Sequence, residues 1–153
     1  MPEPAAYRIR PMDRRDLPAV LAIEEQSFAT PWTSRTFVNL MRRPNAALFA
    51  AVDVRNAVVG YAVIWFAGGE GELGDLAVRH SDRGRGIGSA LVDTVLVEAR
   101  ERGAHEIFLE VRASNTGART LYERSGFQDV GNRPGYYNDP VEDALIMRRE
   151  VSR

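Results

Sequence analysis

The chain contains no cysteine. Disulfides, thiolate metal sites and a cysteine nucleophile are thereby excluded together, and the composition fits a reducing cytoplasm. Lysine is equally absent, so all 20 basic residues are arginine. A compositional bias of the coding sequence is sufficient reason for this. The chemical consequence is that neither a Schiff-base lysine nor a lysine-bearing phosphate loop exists here. The two histidines, His80 and His105, fall in a loop and in a helix-to-strand turn with no ligand set beside them, so no metal site is expected. No stretch approaches the ~20 apolar residues that span a bilayer, and the first ten residues, MPEPAAYRIR, hold no apolar leader core. An excess of one charge is also missing. The formal net charge of −1 provides no global field for nucleic acid or an anionic membrane, so any anion site must be local. Repeats, low-complexity tracts and Pro/Ser-rich linkers do not occur.

What is present is an ordinary globular composition, 44% hydrophobic and 27% charged, over 153 residues. One domain spanning 1–153 is expected, long enough to bury a sizeable core. YRIRPM reads as a first strand. DLPAVLAIEEQSF follows as a helix, with Asp16 as its cap, Pro18 in the first turn and Leu17, Val20 and Leu21 on one face. Thr30-Pro31 marks a turn before a short helix capped at Thr33 or Ser34. AALFAAV and AVVGYAVIWF alternate as strands around the turn residues 53–56, and ELGDLAV is another. A glycine loop then opens a helix over 89–102, with Leu91, Val92, Val95, Leu96 and Ala99 at helical spacing and Gly103 as its stop. EIFLEV is a strand, TGARTLYERS a helix ended by Gly126, and FQDVGNR with EDALIMRR a closing strand pair. The order β-α-α-β-β-β-α-β-α-β-β predicts an α/β fold: a mixed sheet of about six to seven strands with helices on both faces.

The loop RGRGIGSAL places Arg83, Gly84, Arg85, Gly86, Gly88 and Ser89 at the mouth of a helix. A Walker loop is excluded by the missing lysine. A dinucleotide fingerprint needs a third glycine where Ser89 stands and a position after the first strand rather than the fourth. The pattern that does fit is Arg83-x-x-Gly86-x-Gly88. Backbone N–H groups at a helix N-terminus carry about half a unit of positive charge and bind phosphate. Glycines let the ligand approach, and arginines add charge-assisted bonds. A glycine-rich turn with solvated arginines is the alternative.

With that loop, the chain resembles the GNAT superfamily of N-acetyltransferases, whose acetyl-CoA pyrophosphate loop reads Q/R-x-x-G-x-G/A. The likeness extends over nearly the whole chain. It is closest to the RimI-like branch, which acetylates protein N-termini, and is carried by IEEQSFATPW, LEVRASN, LYERSGF and RPGYYNDPVEDALIM. The resemblance implies the GNAT fold, acetyl-CoA as cosubstrate and a protein N-terminus as acceptor. In that branch the acceptor is the N-terminal alanine of small-subunit ribosomal protein number eighteen. A lysine side chain, a polyamine or another small amine is the alternative acceptor, and a non-catalytic acetyl-CoA sensor a third reading. Without a cysteine to carry the acetyl group, direct attack in a ternary complex is the consistent mechanism. A cytoplasmic monomer or weak dimer is expected, with no metal, nucleic acid or membrane as partner.

Acetyl transfer needs a neutral amine, a donor to the oxyanion and a proton or stabiliser for the leaving thiolate. In EIFLEV, Ile107, Leu109 and Val111 alternate to one face and leave Phe108, Glu110 and Arg112 on the other. A mid-strand carboxylate is costly to bury unless it is paired or working. Glu110 is accordingly either the base, which the resemblance implies, or one half of an ion pair with Arg112 or a cross-strand arginine. Tyr122, at the edge of its helix's apolar face, is either a packed tyrosine or the general acid that the family places there. Asn115 caps the next helix, touches the CoA arm as the resemblance implies, or does both. Leu76 and Val78 would offer main-chain groups to the cofactor, an implication of the resemblance alone. Trp32, Tyr136 and Tyr137 are candidate acceptor contacts, aromatics expected on loops; the alternative is that Trp32 packs under the first helix and the two tyrosines finish the last hairpin. Glu24 or Glu25 is placed to meet a cationic terminus, with solvation as the alternative for at least one of them.

Overall fold

A computed structural model describes residues 6–151; residues 1–5 and 152–153, the two ends of the expected domain, lie outside them. The alternating segments pair into one seven-stranded sheet in the order β1-β2-β3-β4-β5-β7-β6. Its strands are β1 (Tyr7–Pro11), β2 (Ala46–Asp53), β3 (Val58–Ala67), β4 (Glu70–Val78), β5 (Glu106–Arg112), β6 (Gln128–Tyr137) and β7 (Glu142–Glu150). Four helices accompany them: α1 (Leu17–Ser27), α2 (Ser34–Met41), α3 (Ile87–Glu101) and α4 (Thr116–Arg124). All neighbouring strands run antiparallel except β4 and β5. The mixed sheet with helices on both faces agrees with the sequence reading.

Two apolar layers sandwich the sheet. Leu17, Val20, Ile23, Phe37 and Leu40 of α1 and α2 pack with Leu48, Tyr61, Val63 and Ala77 on one face. On the other, Ile87, Leu91, Val92, Val95 and Ala99 of α3 pack with Ile64, Leu73, Ile107 and Leu109, joined by Tyr122 from α4. The spacing that marked α3 in the sequence is thus the stripe it buries.

Three boundaries differ from the sequence reading. Asp16 does not cap α1. Its carboxylate instead accepts the Asp13 N–H and pairs with Arg10 at 2.7 Å, closing the single 3₁₀ turn that precedes the helix. Helix α3 starts at Ile87, because Gly86 in the left-handed region (φ 83°) forms its cap. Strand β6 continues through Arg133 to Tyr137, so Tyr136 and Tyr137 end a strand rather than lie in a loop.

Two irregularities position the site. The β3–β4 register shifts between Val63 and Ile64, leaving Gly74 without a partner. Before this bulge Leu73 faces the α3 layer; after it Asp75 and Ala77 face α1 and α2. A side chain at Gly74 would meet the Trp65 ring at 2.1 Å, which restricts the bulge to glycine. Past Leu73, β4 and β5 also part. Their ladder joins only Glu70–Leu73 to Glu106–Leu109, so the sheet opens into a V.

Candidate active site

The open side of the V is a groove of about 760 Å³, within the usual range of small-molecule sites. Leu76 and Val78 of β4 form one wall; Asn115, Ala118 and Leu121 of α4 form the other; Arg83, Gly84, Gly86, Gly88 and Ser89 form the floor. Eight of the nine residues assigned to a cofactor from sequence therefore line one surface. Gly84 and Gly86 have φ of 80° and 83°, a conformation that side chains resist. Gly88 serves packing instead, since a Cβ there would press on Leu121 Cδ2 at 3.1 Å. The first turn of α3 carries no side-chain cap and no acidic residue, so its N–H groups face the groove as donors. A polyanionic ligand fits this lining.

The ninth residue, Arg85, is not on the groove surface. It pairs with buried Asp82 at 2.9 Å, opposite Arg79 at 2.6 Å. Arg79, and behind it Arg85, hold the Asp82 carboxyl below its ordinary range. This arginine-bracketed carboxylate, itself at the groove's edge, braces the loop. Arg83 Nε donates to the Val78 carbonyl at 3.1 Å, tying the loop to β4. Asn115 performs its capping role, accepting the Ala118 N–H at 3.1 Å, while remaining on the groove wall.

Glu110 is half-buried on β5. Of the expected ion-pair partners, the cross-strand arginine is the one found: Arg133 of β6 lies 3.4 Å away. Arg112 pairs with Glu142 instead and covers the Tyr137 ring at 4.5 Å. Tyr136, 50% exposed, lies close to Glu110, whose charge raises the phenol's pKa. Tyr137 packs edge-on against Tyr136, and burial, then the Glu110 charge, lift it to about 12. Glu110, Tyr136 and Tyr137 thus form one cluster. Tyr122 is more deeply buried than the edge position expected: its ring packs on Phe127 in the α3 layer. Burial raises its pKa, and the Asp75 and Tyr137 groups lie within electrostatic reach of it.

Trp32 is half-buried in the loop between α1 and α2, stacked on Trp65, edge-on to Phe37 and packed against the apolar layer that α1 and α2 share. Both tryptophans border a second cavity of about 340 Å³ with Thr36, Asn39, Leu40 and Arg43. The two glutamates of α1 separate. Glu25 is exposed, whereas Glu24 is 2% exposed, accepting the Tyr61 hydroxyl and the Trp32 N–H, with the Asp75 carboxyl within reach. The Glu24–Tyr61–Asp75 cluster escapes sequence reasoning because its members lie on three elements. The only local signal is two acidic residues inside otherwise apolar segments. Among the described residues, no group of His, Asp and Glu is suited to hold a metal ion, and no helix is long and apolar enough to cross a membrane.

Comparison with known proteins agrees with this geometry. The model of the acetyltransferase (GNAT) family matches residues 9–127. The [ribosomal protein bS18]-alanine N-acetyltransferase of Escherichia coli K12 is 33% identical over 146 residues, covering 94% of this chain and 97% of that protein. The crystal structure of the Escherichia coli ribosomal-protein-S18-alanine N-acetyltransferase superposes with a TM-score of 0.86 at 32% identity, covering 96% of this chain and 95% of that one. Ard1 from Thermoplasma volcanium superposes at 0.90 with 29% identity, covering 97% and 100%.

Proposed function

Because this chain belongs to the acetyltransferase (GNAT) family and is an N-acetyltransferase, we propose that it transfers the acetyl group of acetyl-CoA to the α-amino group of a protein N-terminus. The alanine terminus of ribosomal protein bS18 is the leading acceptor, the reaction is direct, and the setting is the cytoplasm. The observation that carries this reading is the span of the likeness, which includes the acceptor-side segments around Trp32 and Tyr136-Tyr137 as well as the glycine loop.

Each group on the groove then has a place in the reaction. The N–H groups at the start of α3, with Arg83, would hold the phosphates, and Leu76, Val78 and Asn115 the arm between phosphate and thioester. Acetyl-CoA supplies an activated thioester. Glu110 would take the proton from the incoming ammonium. An α-amino group with a pKa of about 7.7–8.0 is already partly neutral near pH 7, so a modest base suffices. Tyr122 stays protonated throughout the neutral range, as burial dictates. A phenol is a weaker acid than a thiol, so its contribution is hydrogen-bond donation to charge developing on sulfur in the transition state. Trp32, Tyr136 and Tyr137 would border the acceptor peptide.

Two peptides test the reading. One has a free N-terminal alanine followed by arginine and contains no lysine; the other has a blocked terminus and one internal lysine. Acetylation of the first alone is the expected result. Acetylation of the second alone would replace the acceptor while keeping the enzyme class.

A further inference from the structure

We propose that Asp75 is held as the neutral carboxylic acid and donates its proton to an ionised Glu24, and that this pair, with Tyr61, is a positioning unit fixing the acceptor-side loop against the strand that lines the cofactor groove. The loop's part in acceptor binding rests on the function proposed above; the location of the proton does not.

Counting donors and acceptors leads to this assignment. Glu24 and Asp75 are 2% and 8% exposed and their carboxyl groups lie within hydrogen-bonding reach of one another, an approach that two carboxylates cannot turn into a hydrogen bond without a proton on one of them. Both oxygens of Glu24 are already acceptors: Oε1 from the Tyr61 hydroxyl and Oε2 from the Trp32 N–H at 2.9 Å. The buried Oδ2 of Asp75 faces no donor. A buried oxygen in that position is satisfied by carrying the proton itself and donating it. The donors to Glu24, the Tyr61 hydroxyl and the Trp32 N–H, are both neutral, so with the Asp75 proton the cluster holds a single negative charge spread over three donated hydrogen bonds. Burial raises the Asp75 pKa, in the same direction.

The placement gives the pair its purpose. Glu24 grips the backbone of Trp32, and the Gly74 bulge turns Asp75 toward Glu24 while Leu76, the next residue, lines the cofactor groove. The acceptor loop is thereby referenced to the cofactor strand through one shared proton. A neutral Asp75 also keeps negative charge away from the Tyr122 hydroxyl.

The first measurement is the infrared difference spectrum of wild-type protein against Asp75→Asn at neutral pH. A protonated-carboxyl C=O band present in wild type and missing from the variant is expected. Its absence from wild type overturns the proton assignment whether or not any peptide is acetylated. Kinetics test the positioning half. Asp75→Ala is expected to raise the acceptor KM about tenfold, the equivalent of one buried hydrogen bond, with acetyl-CoA affinity unchanged. Asp75→Asn, whose amide donates in the same direction, should restore the KM to within about twofold. Glu24→Gln sets an amide against donors and should match the alanine variant. Tyr61→Phe, which keeps the ring, covers the case in which Glu24→Gln does not fold, and a several-fold rise in acceptor KM is expected. Wild-type acceptor KM in folded Asp75→Ala and Tyr61→Phe would overturn the positioning role, as would tolerance of Glu24→Gln alongside damage by Asp75→Asn.

Discussion

Glutamine at position 110 preserves shape and the contact with Tyr136 but cannot take a proton. If Glu110 is only the partner of Arg133, a half-exposed pair at 3.4 Å, its loss costs less than about 1 kcal/mol of stability and no rate. As the base, Glu110→Gln should lower kcat by about a hundredfold while acetyl-CoA affinity stays constant, a split read from steady-state kinetics and calorimetry together. Asp82 makes a second, independent prediction. Arg79 depresses its carboxyl below the unfolded value, so its contribution to stability is fully present above the unfolded carboxylate pKa of about 3.9 and is lost as pH falls through the folded one. Asp82→Asn should therefore lower Tm near neutrality, and its deficit should shrink as the pH is taken below about 4. A deficit that does not change with pH would mean that the arginine bracket is not what stabilises the loop. Both residues were visible as charges in the sequence, but their partners were not. Arg133 reaches Glu110 from two strands away, across β7, and no local spacing encodes that.

At the scale of elements, the sequence is most legible where one periodicity runs uninterrupted. The apolar stripe of α3 and the alternation of β5 each bury the face that the pattern marks, because helix and strand periods translate directly into facing. Legibility fails where the period breaks. The bulge at Gly74 reverses the facing of Asp75 relative to Leu73, so strict alternation in ELGDLAV places that carboxylate in the wrong layer. The end of β6 was unreadable for a similar reason: Pro134 and Gly135 look like a turn, yet the Gly135 N–H bonds Asp143 and the strand resumes to Tyr137. The position of the glycine loop at the mouth of α3 was legible, while the inward pairing of Arg85 and the start of the helix at Ile87 were not, and the loop yields the element-scale prediction. Gly86 caps α3 at φ 83°, where alanine costs about 1–2 kcal/mol. Gly86→Ala should accordingly raise the KM for acetyl-CoA about tenfold with little change in kcat. A fall in kcat at unchanged KM would separate the loop from cofactor binding.

For the whole molecule, the decisive feature is that the sheet is continuous in name but divided in strength. β1 to β4 form one antiparallel block and β5, β7 and β6 another, and between them the ladder holds only Glu70–Leu73 against Glu106–Leu109. The groove draws its walls from both blocks, Leu76 and Val78 from the first and Asn115, Ala118 and Leu121 from the segment following β5. A ligand filling the V then replaces the hydrogen bonds and packing that the parted strands do not make with each other. Saturation at about a hundred times Kd adds about 2.7 kcal/mol to stability through mass action. For a chain of this size that is a rise in Tm of roughly 5–10 °C. The shift alone reports binding, while hydrogen exchange reports the bridge. With acetyl-CoA bound, protection should rise along β5 and α4 as well as over residues 83–89, because closing the V suppresses the opening of one block from the other. Protection confined to the glycine loop, at the same rise in Tm, would mean that α3 and the apolar layer around it already lock the two blocks together, and that the cofactor binds a rigid cleft rather than completing one.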